Sequence, residues 1–387
     1  MAFSSLLGGS ILKVMCGTLL TPKEQLKGVS IIVEDGKIKD IVPSTALPDE
    51  SDCVDASSYW VVPGFVDPHT HIGIYRLEGE SGDHGFEASD TLTPQLNVVD
   101  GLDPFDPAFD DALQSGVTTV GILPGSYMSF GSSVERITIM PGQGAIYKTN
   151  RRLIRRSAFI KCALGEHPKR FLSERKMVPT TRMGIMAEIR SILLQAQRYM
   201  KNPNEKINPK LEAIIPVLKK EIPLRVHAHT LRDILAAKKL AEEFDIRIIL
   251  DHATEAHLIK EELRDIPIVY GPIVFSRRGV ELKNLDSSNL SQVKGLDFCL
   301  TTDHPTIPIQ YLDLLAGLSL SEGFSLQEAL SLITINAARI LGIGDQTGSI
   351  EIGKDADLVV LSNRPFEPDT KVICTIVDGQ VQWRSQV

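Results

Sequence analysis

The stretch Val61-Val-Pro-Gly-Phe-Val-Asp-Pro-His-Thr-His-Ile-Gly-Ile74 decides how the chain is read. An apolar run ends in His69-Thr-His71, and on a strand residues two apart point to the same side. Both imidazoles therefore face one way at the end of a buried segment. Two converging neutral imidazoles are a usual start for a zinc-type site. Any half-buried strand can carry one such pair, so by itself the pair also fits two core histidines. The rest of the chain decides between the two.

Outward from this stretch, the N-terminal side reads as short strands from Ile11 to about Ser58, with a hairpin over 33–41 turning at Asp35-Gly36 in a type I′ turn. The far end repeats this pattern, with a strand over 356–361 and then a hairpin over 371–383 turning at Asp378-Gly379. Two β-rich ends around a different middle predict one small β-domain built from both termini. In the middle, strands are predicted over 116–124, 158–164, 224–229, 247–252, 268–271 and 297–302. Helices are predicted over 107–115, 180–200, 231–244, 256–263, 309–321 and 326–341. The helix over 180–200 rests on apolar positions at Met183, Met186, Ile189, Ile192 and Leu193. This strand–helix rhythm favours a parallel barrel over an open sheet.

The chain has 387 residues, enough for one large α/β unit and a smaller one. Apolar content of 43% and charged content of 23% are those of an ordinary globular protein. A net charge of −8 argues against nucleic acid as the main partner, and Arg151-Arg-Leu-Ile-Arg-Arg156 reads as a solvated face. Five scattered cysteines without a Cys-x-x-Cys fit a reducing compartment. The first residues lack a basic segment ahead of a long apolar run, and Lys13 interrupts the next one, so neither a signal peptide nor a membrane span is expected and the cytoplasm is. The partners expected are a small-molecule substrate and further copies of the chain.

Of the nine histidines, His69, His71, His227, His229, His252 and His304 fall at or just after the ends of predicted strands. In a parallel barrel those ends share one mouth, where active sites sit, whereas structural histidines scatter. Asp303, directly after a strand, can bind a metal, take a proton from an activated water, or both. That suits hydrolysis of a C–N bond, whose amine must leave protonated. Its alternative use as a helix N-cap is made awkward by Pro305 and Pro308.

Five segments in order then carry a resemblance: Pro63-Gly-Phe-Val-Asp-Pro-His-Thr-His71, Val226-His-Ala-His229, Leu250-Asp-His252, Thr301-Thr-Asp303 and Gly348-Ser-Ile-Glu-Ile-Gly-Lys-Asp-Ala-Asp-Leu-Val359. Over nearly its whole length the chain resembles the amidohydrolase superfamily, in its imidazolonepropionase-related branch with prolidase-like members. The resemblance implies an α/β fold: a distorted (β/α)8 TIM barrel over 61–344, and a small β-sandwich domain from 1–60 and 345–387. It implies one or two divalent ions, zinc foremost. By the same resemblance His69 and His71 are the strand-1 ligands, His227 and His252 those of strands 5 and 6, and Asp303 the strand-8 carboxylate.

His229, two residues beyond His227, shares its face and reads as a substrate contact or as a group that supports a ligand. His167 and His304 are mouth candidates without a role; His84 and His257 read as loop or surface residues. Lys169, Arg170, Arg182, Arg277 and Arg278 follow strands, where an arginine such as Arg170 or Arg277 could clamp a substrate carboxylate; for any single one, surface charge is the simpler account. Gly142-Gln-Gly144 reads as a close-approach loop, with little to support phosphate binding.

A bridging ligand between two ions has two candidates, the alternative being a single ion with Lys161 merely paired to an acid. On the strand over 158–164, Ile160, Cys162 and Leu164 make one apolar side, which turns Lys161 inward, where an unmodified ammonium is costly and a carboxylated lysine is not. Its Ile-Lys context also resembles the strand-4 lysine of binuclear relatives. Gly165 can break the alternation and swing Glu166 to the mouth instead.

The activity expected is metal-dependent hydrolysis of a non-protein amide or cyclic amide by activated hydroxide, with an N-acyl amino acid or dipeptide as one version. A heterocycle deaminase or imidazolone-type ring hydrolase would use the same ligands. A catalytically inactive barrel serving as an interaction scaffold is the alternative from another class.

Overall fold

The computed structural model describes residues 11–44, 52–75, 85, 87, 89–130, 134–166, 168–169, 179–202, 206–277 and 279–386. The chain opens with β1 (Ile11–Leu20), β2 (Gln25–Glu34), β3 (Lys37–Pro43) and β4 (Asp52–Pro63). It continues through β5 (Phe65–Thr70), β6 (Val117–Ile122), β7 (Tyr127–Phe130), β8 (Val134–Ile137), β9 (Gly142–Lys148) and β10 (Leu153–Ala163). Then come β11 (Leu224–Ala228), β12 (Ile248–His252), β13 (Ile268–Tyr270) and β14 (Phe298–Leu300), and last β15 (Leu358–Leu361), β16 (Val372–Val377) and β17 (Gln380–Arg384).

Both termini build one sheet, in the order β17-β16-β15-β4-β1-β2-β3. Its own core includes Val14, Ile31, Val61, Leu358 and Ile376. Both hairpin turns take the left-handed backbone a type I′ turn needs: φ is 51° and 77° at Asp35 and Gly36, and 52° and 72° at Asp378 and Gly379. Strand β4 runs on to Pro63 in this sheet, and the barrel starts at Phe65.

The barrel is nearly closed, in the order β5-β6-β9-β10-β11-β12-β13-β14, with a Thr70–His304 bridge joining its two ends. It departs from the parallel expectation at one strand: β9 pairs antiparallel with both β6 and β10. The cause is the length of the connections. Between β6 and β9 the described residues hold only the β7–β8 hairpin, and residues 149–152 join β9 directly to β10, too few for a crossover. Gly142 and Gly144 lie within β9. A Cβ on Gly144 would sit 2.0 Å from the Phe159 ring, and one on Gly142 2.6 Å from the Leu96 carbonyl, so these glycines serve close packing. Gly144→Ala is expected to cost about 1–3 kcal/mol through overpacking, read as a lower urea midpoint with an unchanged slope.

Around the barrel lie α1 (Ala108–Gln114), α2 (Arg182–Met200), α3 (Pro209–Leu218), α4 (Leu231–Phe244), α5 (Asn289–Val293), α6 (Leu312–Ser321), α7 (Leu326–Leu332) and α8 (Ile335–Ile340). Helix α2 starts where Thr181 Oγ1 accepts from Gly184 N, and it buries Ile185, Ile189, Ile192 and Leu193. Met183, expected in its apolar stripe, is instead 80% exposed. The helix expected over 326–341 is two helices, broken where Thr334 leaves helical geometry and donates its hydroxyl to Leu330 O. The one expected over 256–263 is a 3₁₀ segment kinked at Ile259. Among the described residues, no helix is long and apolar enough to cross a membrane.

Strand alternation sorts the two faces of the barrel. Ile160, Cys162, Leu164, Leu224, Val226, Leu250, Ile268 and Leu300 join the core under the helices. Val66, Ile146, Phe159, Ile249, Val269 and Cys299 form a separate cluster that floors the interior. Two residues beyond Phe159 and Ile249 stand Lys161 and Asp251, and between them β11 carries Arg225 with His227 beyond it, all buried.

Candidate active site

Above the floor the interior turns polar and fills with imidazoles. The His229 and His252 rings stack with centroids 4.7 Å apart, His227 meets His252 at 4.6 Å, and His69 lies 5.1 Å from His252 and 5.4 Å from His71. Two triads have ligand atoms within 4.8 Å of one another: His227, His229 and His252, and His69, His252 and Asp303. His252 belongs to both. Asp303 Oδ1 stands 3.4 Å from His69 Nε2 and 3.5 Å from His71 Nε2.

The backbone selects the tautomers. His71 Nδ1 lies 2.6 Å from Leu123 O, and His252 Nδ1 lies 2.7 Å from Gly271 O. A carbonyl only accepts, so in the neutral ring the proton sits on Nδ1 and Nε2 keeps a lone pair for an electrophile. His229 Nδ1 pairs with Thr254 Oγ1 at 2.7 Å. Burial, with Lys161 nearby, pushes His69 down to about 3, and burial also lowers His252, so both rings are neutral near pH 7. Burial alone would raise Asp303, but the imidazoles about it, His71, His252 and His69, hold it below the usual carboxylate range. It is therefore ionised. Imidazoles that can present Nε2 lone pairs, facing an ionised carboxylate, are a donor set that fits a borderline divalent ion.

His252 reaches the site against the strand pattern. Asp251 already points inward, so alternation would send His252 out toward the helices. A left-handed backbone at His252 (φ 70°) and Ala253 (φ 44°) turns it in.

Three buried charges that sequence reading passed over support these ligands. Asp67 takes hydrogen bonds from Thr301 Oγ1 (2.6 Å), Thr302 N (3.2 Å) and His69 N (3.3 Å), and also from Thr302 Oγ1, tying β5 to the chain just after β14. Burial pushes Asp67 up to about 6. Asp251 and Arg225 pair beneath the histidines. A signal was present: each is a charge in an otherwise apolar strand, at one or two residues from a candidate ligand.

Of the other expected site residues, Lys161 points into the barrel, its Nζ 2.7 Å from Asp251 Oδ2 and 3.5 Å from His69 Nε2. Glu166 stands in neither triad; its carboxylate is taken by Arg182 at 2.6 Å and Lys169 at 3.0 Å, its backbone N–H by Glu281. Arg182 also forks onto Asp233 (2.7 and 2.9 Å). Arg277 donates to Leu285 O at 2.8 Å and pairs with Asp286, within its own rim loop. His229, read as a substrate contact, stands with His227 and His252 as a candidate ligand. His304 accepts Ile309 N at Nδ1, so its proton is on Nε2, and burial lowers it to about 4. His257 is half-buried on the kinked 3₁₀ segment. His84, His167, Arg170 and Arg278 lie outside the described residues.

A model of the amidohydrolase family matches residues 263–382. The crystal structure of an amidohydrolase from Thermotoga maritima MSB8 is 34% identical, covers 97% of this chain and 100% of that one, and superposes with a TM-score of 0.89. The amidohydrolase tasK of Hapsidospora irregularis is 26% identical over 92% of this chain, which spans only 40% of that relative's length. The imidazolonepropionase of Caldanaerobacter subterraneus subsp. tengcongensis is 26% identical over 90% of this chain and 87% of its own.

Proposed function

The chain belongs to the amidohydrolase superfamily, and from that premise we propose that it hydrolyses the C–N bond of a small, non-protein amide or cyclic amide with the help of one or two zinc ions. The observation that carries this reading is the pinning of Nδ1 at His71 and His252 by main-chain carbonyls, which leaves Nε2 lone pairs directed at an ionised Asp303. His69, His71, His227, His229, His252 and Asp303 would hold the metal. Once bound, it would supply Lewis acidity to the scissile carbonyl and bring the pKa of water toward neutrality.

The chain's own residues do the remainder. Asp303, partly open to the mouth at 17% exposure, accepts a proton from the attacking water and returns it to the departing nitrogen. Between the two bridging candidates we favour Lys161, in carboxylated form, because the Glu166 carboxylate is already engaged by Arg182 and Lys169.

N-acyl amino acids and dipeptides are the first substrates to test. Ring opening of an imidazolone-like cyclic amide is the second, favoured by the similarity to imidazolonepropionase over most of both chains. The purified protein is expected to contain stoichiometric zinc by elemental analysis, and to release a new amine or open a ring when screened against the two panels. A metal-free protein, inert after zinc loading, would be a scaffold instead. His227→Ala is expected to lower zinc occupancy; unchanged occupancy and activity would remove His227 from the ligand set.

A further inference from the structure

Asp303 stands just after β14 and takes a left-handed backbone, with φ of 53°. Three hydrogen bonds hold it there. Its N–H donates to Thr301 Oγ1 at 3.2 Å, its carbonyl accepts Thr306 N at 2.8 Å, and its Oδ2 accepts the Thr306 hydroxyl at 3.0 Å. Thr301 is itself fixed, with its hydroxyl 2.6 Å from Asp67 Oδ1 and 2.8 Å from His69 O. The backbone of this turn is thus tied to β5, and its carboxylate to Thr306.

The two carboxylate oxygens have different surroundings. Oδ1 stands 3.4 Å from His69 Nε2 and 3.5 Å from His71 Nε2. The His71 proton is on Nδ1, against Leu123 O, so a lone pair faces Oδ1 there. Oδ2 carries the Thr306 donor. A carboxylate held only through its backbone still turns about Cβ–Cγ, and that torsion is broad. The Thr306 bond removes this freedom. It occupies one lone pair of Oδ2 and leaves Oδ1 toward the imidazoles. Thr306 itself is exposed, so burial does not impose the contact.

Resting on the hydrolytic reading above, we propose that Thr306 is the positioning residue of Asp303. Its hydroxyl fixes the carboxylate in the orientation that takes a proton from the attacking water and hands it to the departing nitrogen. No proton passes through Thr306, whose O–H stays on Oδ2. It acts through Asp303 alone.

The test replaces the hydroxyl and reads more than activity. Thr306→Val keeps the shape and removes the donor. It is expected to lower kcat about 10–100-fold, the usual effect of losing a bond that orients a group at a metal site, with KM and zinc content unchanged. Thr306→Ser, which keeps the hydroxyl, is expected to retain wild-type kcat. In an Asp303→Asn background, T306V is expected to cost nothing further, because the two act as one unit. Wild-type kcat in T306V overturns the proposal. So does T306S as slow as T306V, T306V that loses zinc along with turnover, or a further loss in the D303N background. A crystal structure of metal-free T306V is the readout that needs no substrate: the Asp303 carboxylate is expected to rotate, and an unmoved carboxylate overturns the assignment. Should the wild type hydrolyse neither panel, the proposed function falls, and the metal-free structure alone decides whether Thr306 orients Asp303.

Discussion

Asp303→Asn is expected to lower turnover by about 10²–10⁴-fold, the usual contribution of general acid–base assistance, while the fold persists. The carboxylate is ionised because the imidazoles about it, His71, His252 and His69, outweigh the burial that would otherwise raise it. It is then a proton acceptor at working pH. An amide of the same shape has no basic oxygen to take a proton from water and no acid form to return one to the amine. The measurement is kcat on whichever amide the screen identifies, with unfolding midpoint and zinc content as controls. Near wild-type turnover in D303N would remove Asp303 from the proton path.

His252→Ala should have the widest effect on metal binding, because His252 is the one side chain shared by both triads. Loss of an outer hydrogen-bond partner commonly costs 10–100-fold in metal affinity, so loss of this ligand is expected to cost more than about 100-fold, whichever triad holds the ion. H252A is therefore expected to purify nearly free of zinc, whereas H227A retains part of it. Removal of the ring also frees a strained backbone, since alanine at φ 70° has nothing to hold it there. The variant is therefore expected to relax around residues 252–253, and a crystal structure would display the change. Full zinc content in H252A would remove His252 from the ligand set.

Much of this site was legible in the chain because strand alternation is a strong rule. It turns Lys161 inward opposite Ile160 and Cys162, and it sets His229 on the same face as His227. The same rule fails at His252, where the left-handed backbone brings in two consecutive side chains; only the ordered motifs pointed there. The reversed β9 escaped because its glycines, needed against Phe159 and Leu96, weaken the strand signal they stand in. Asp67, Asp251 and Arg225 escaped because a charge inside an apolar run has no meaning until its partners are known. Those partners come from other strands: Thr301 is 234 positions from Asp67 in the chain, and Asp251 is 26 from Arg225.

The bond from Thr301 to Asp67 also bears on the order of assembly. The β9–β10 and β11–β12 pairings join close neighbours in the chain, whereas the seam between β5 and β14 joins its distant ends. Loop closure of that span is the costliest step in conformational entropy, so the seam is expected to zip last. Asp303 comes against His69 and His71 only when it does. A partly folded chain is therefore expected to have its histidines but no completed centre, so that an ion held between β5 and the chain after β14 would lock the ring late rather than start it.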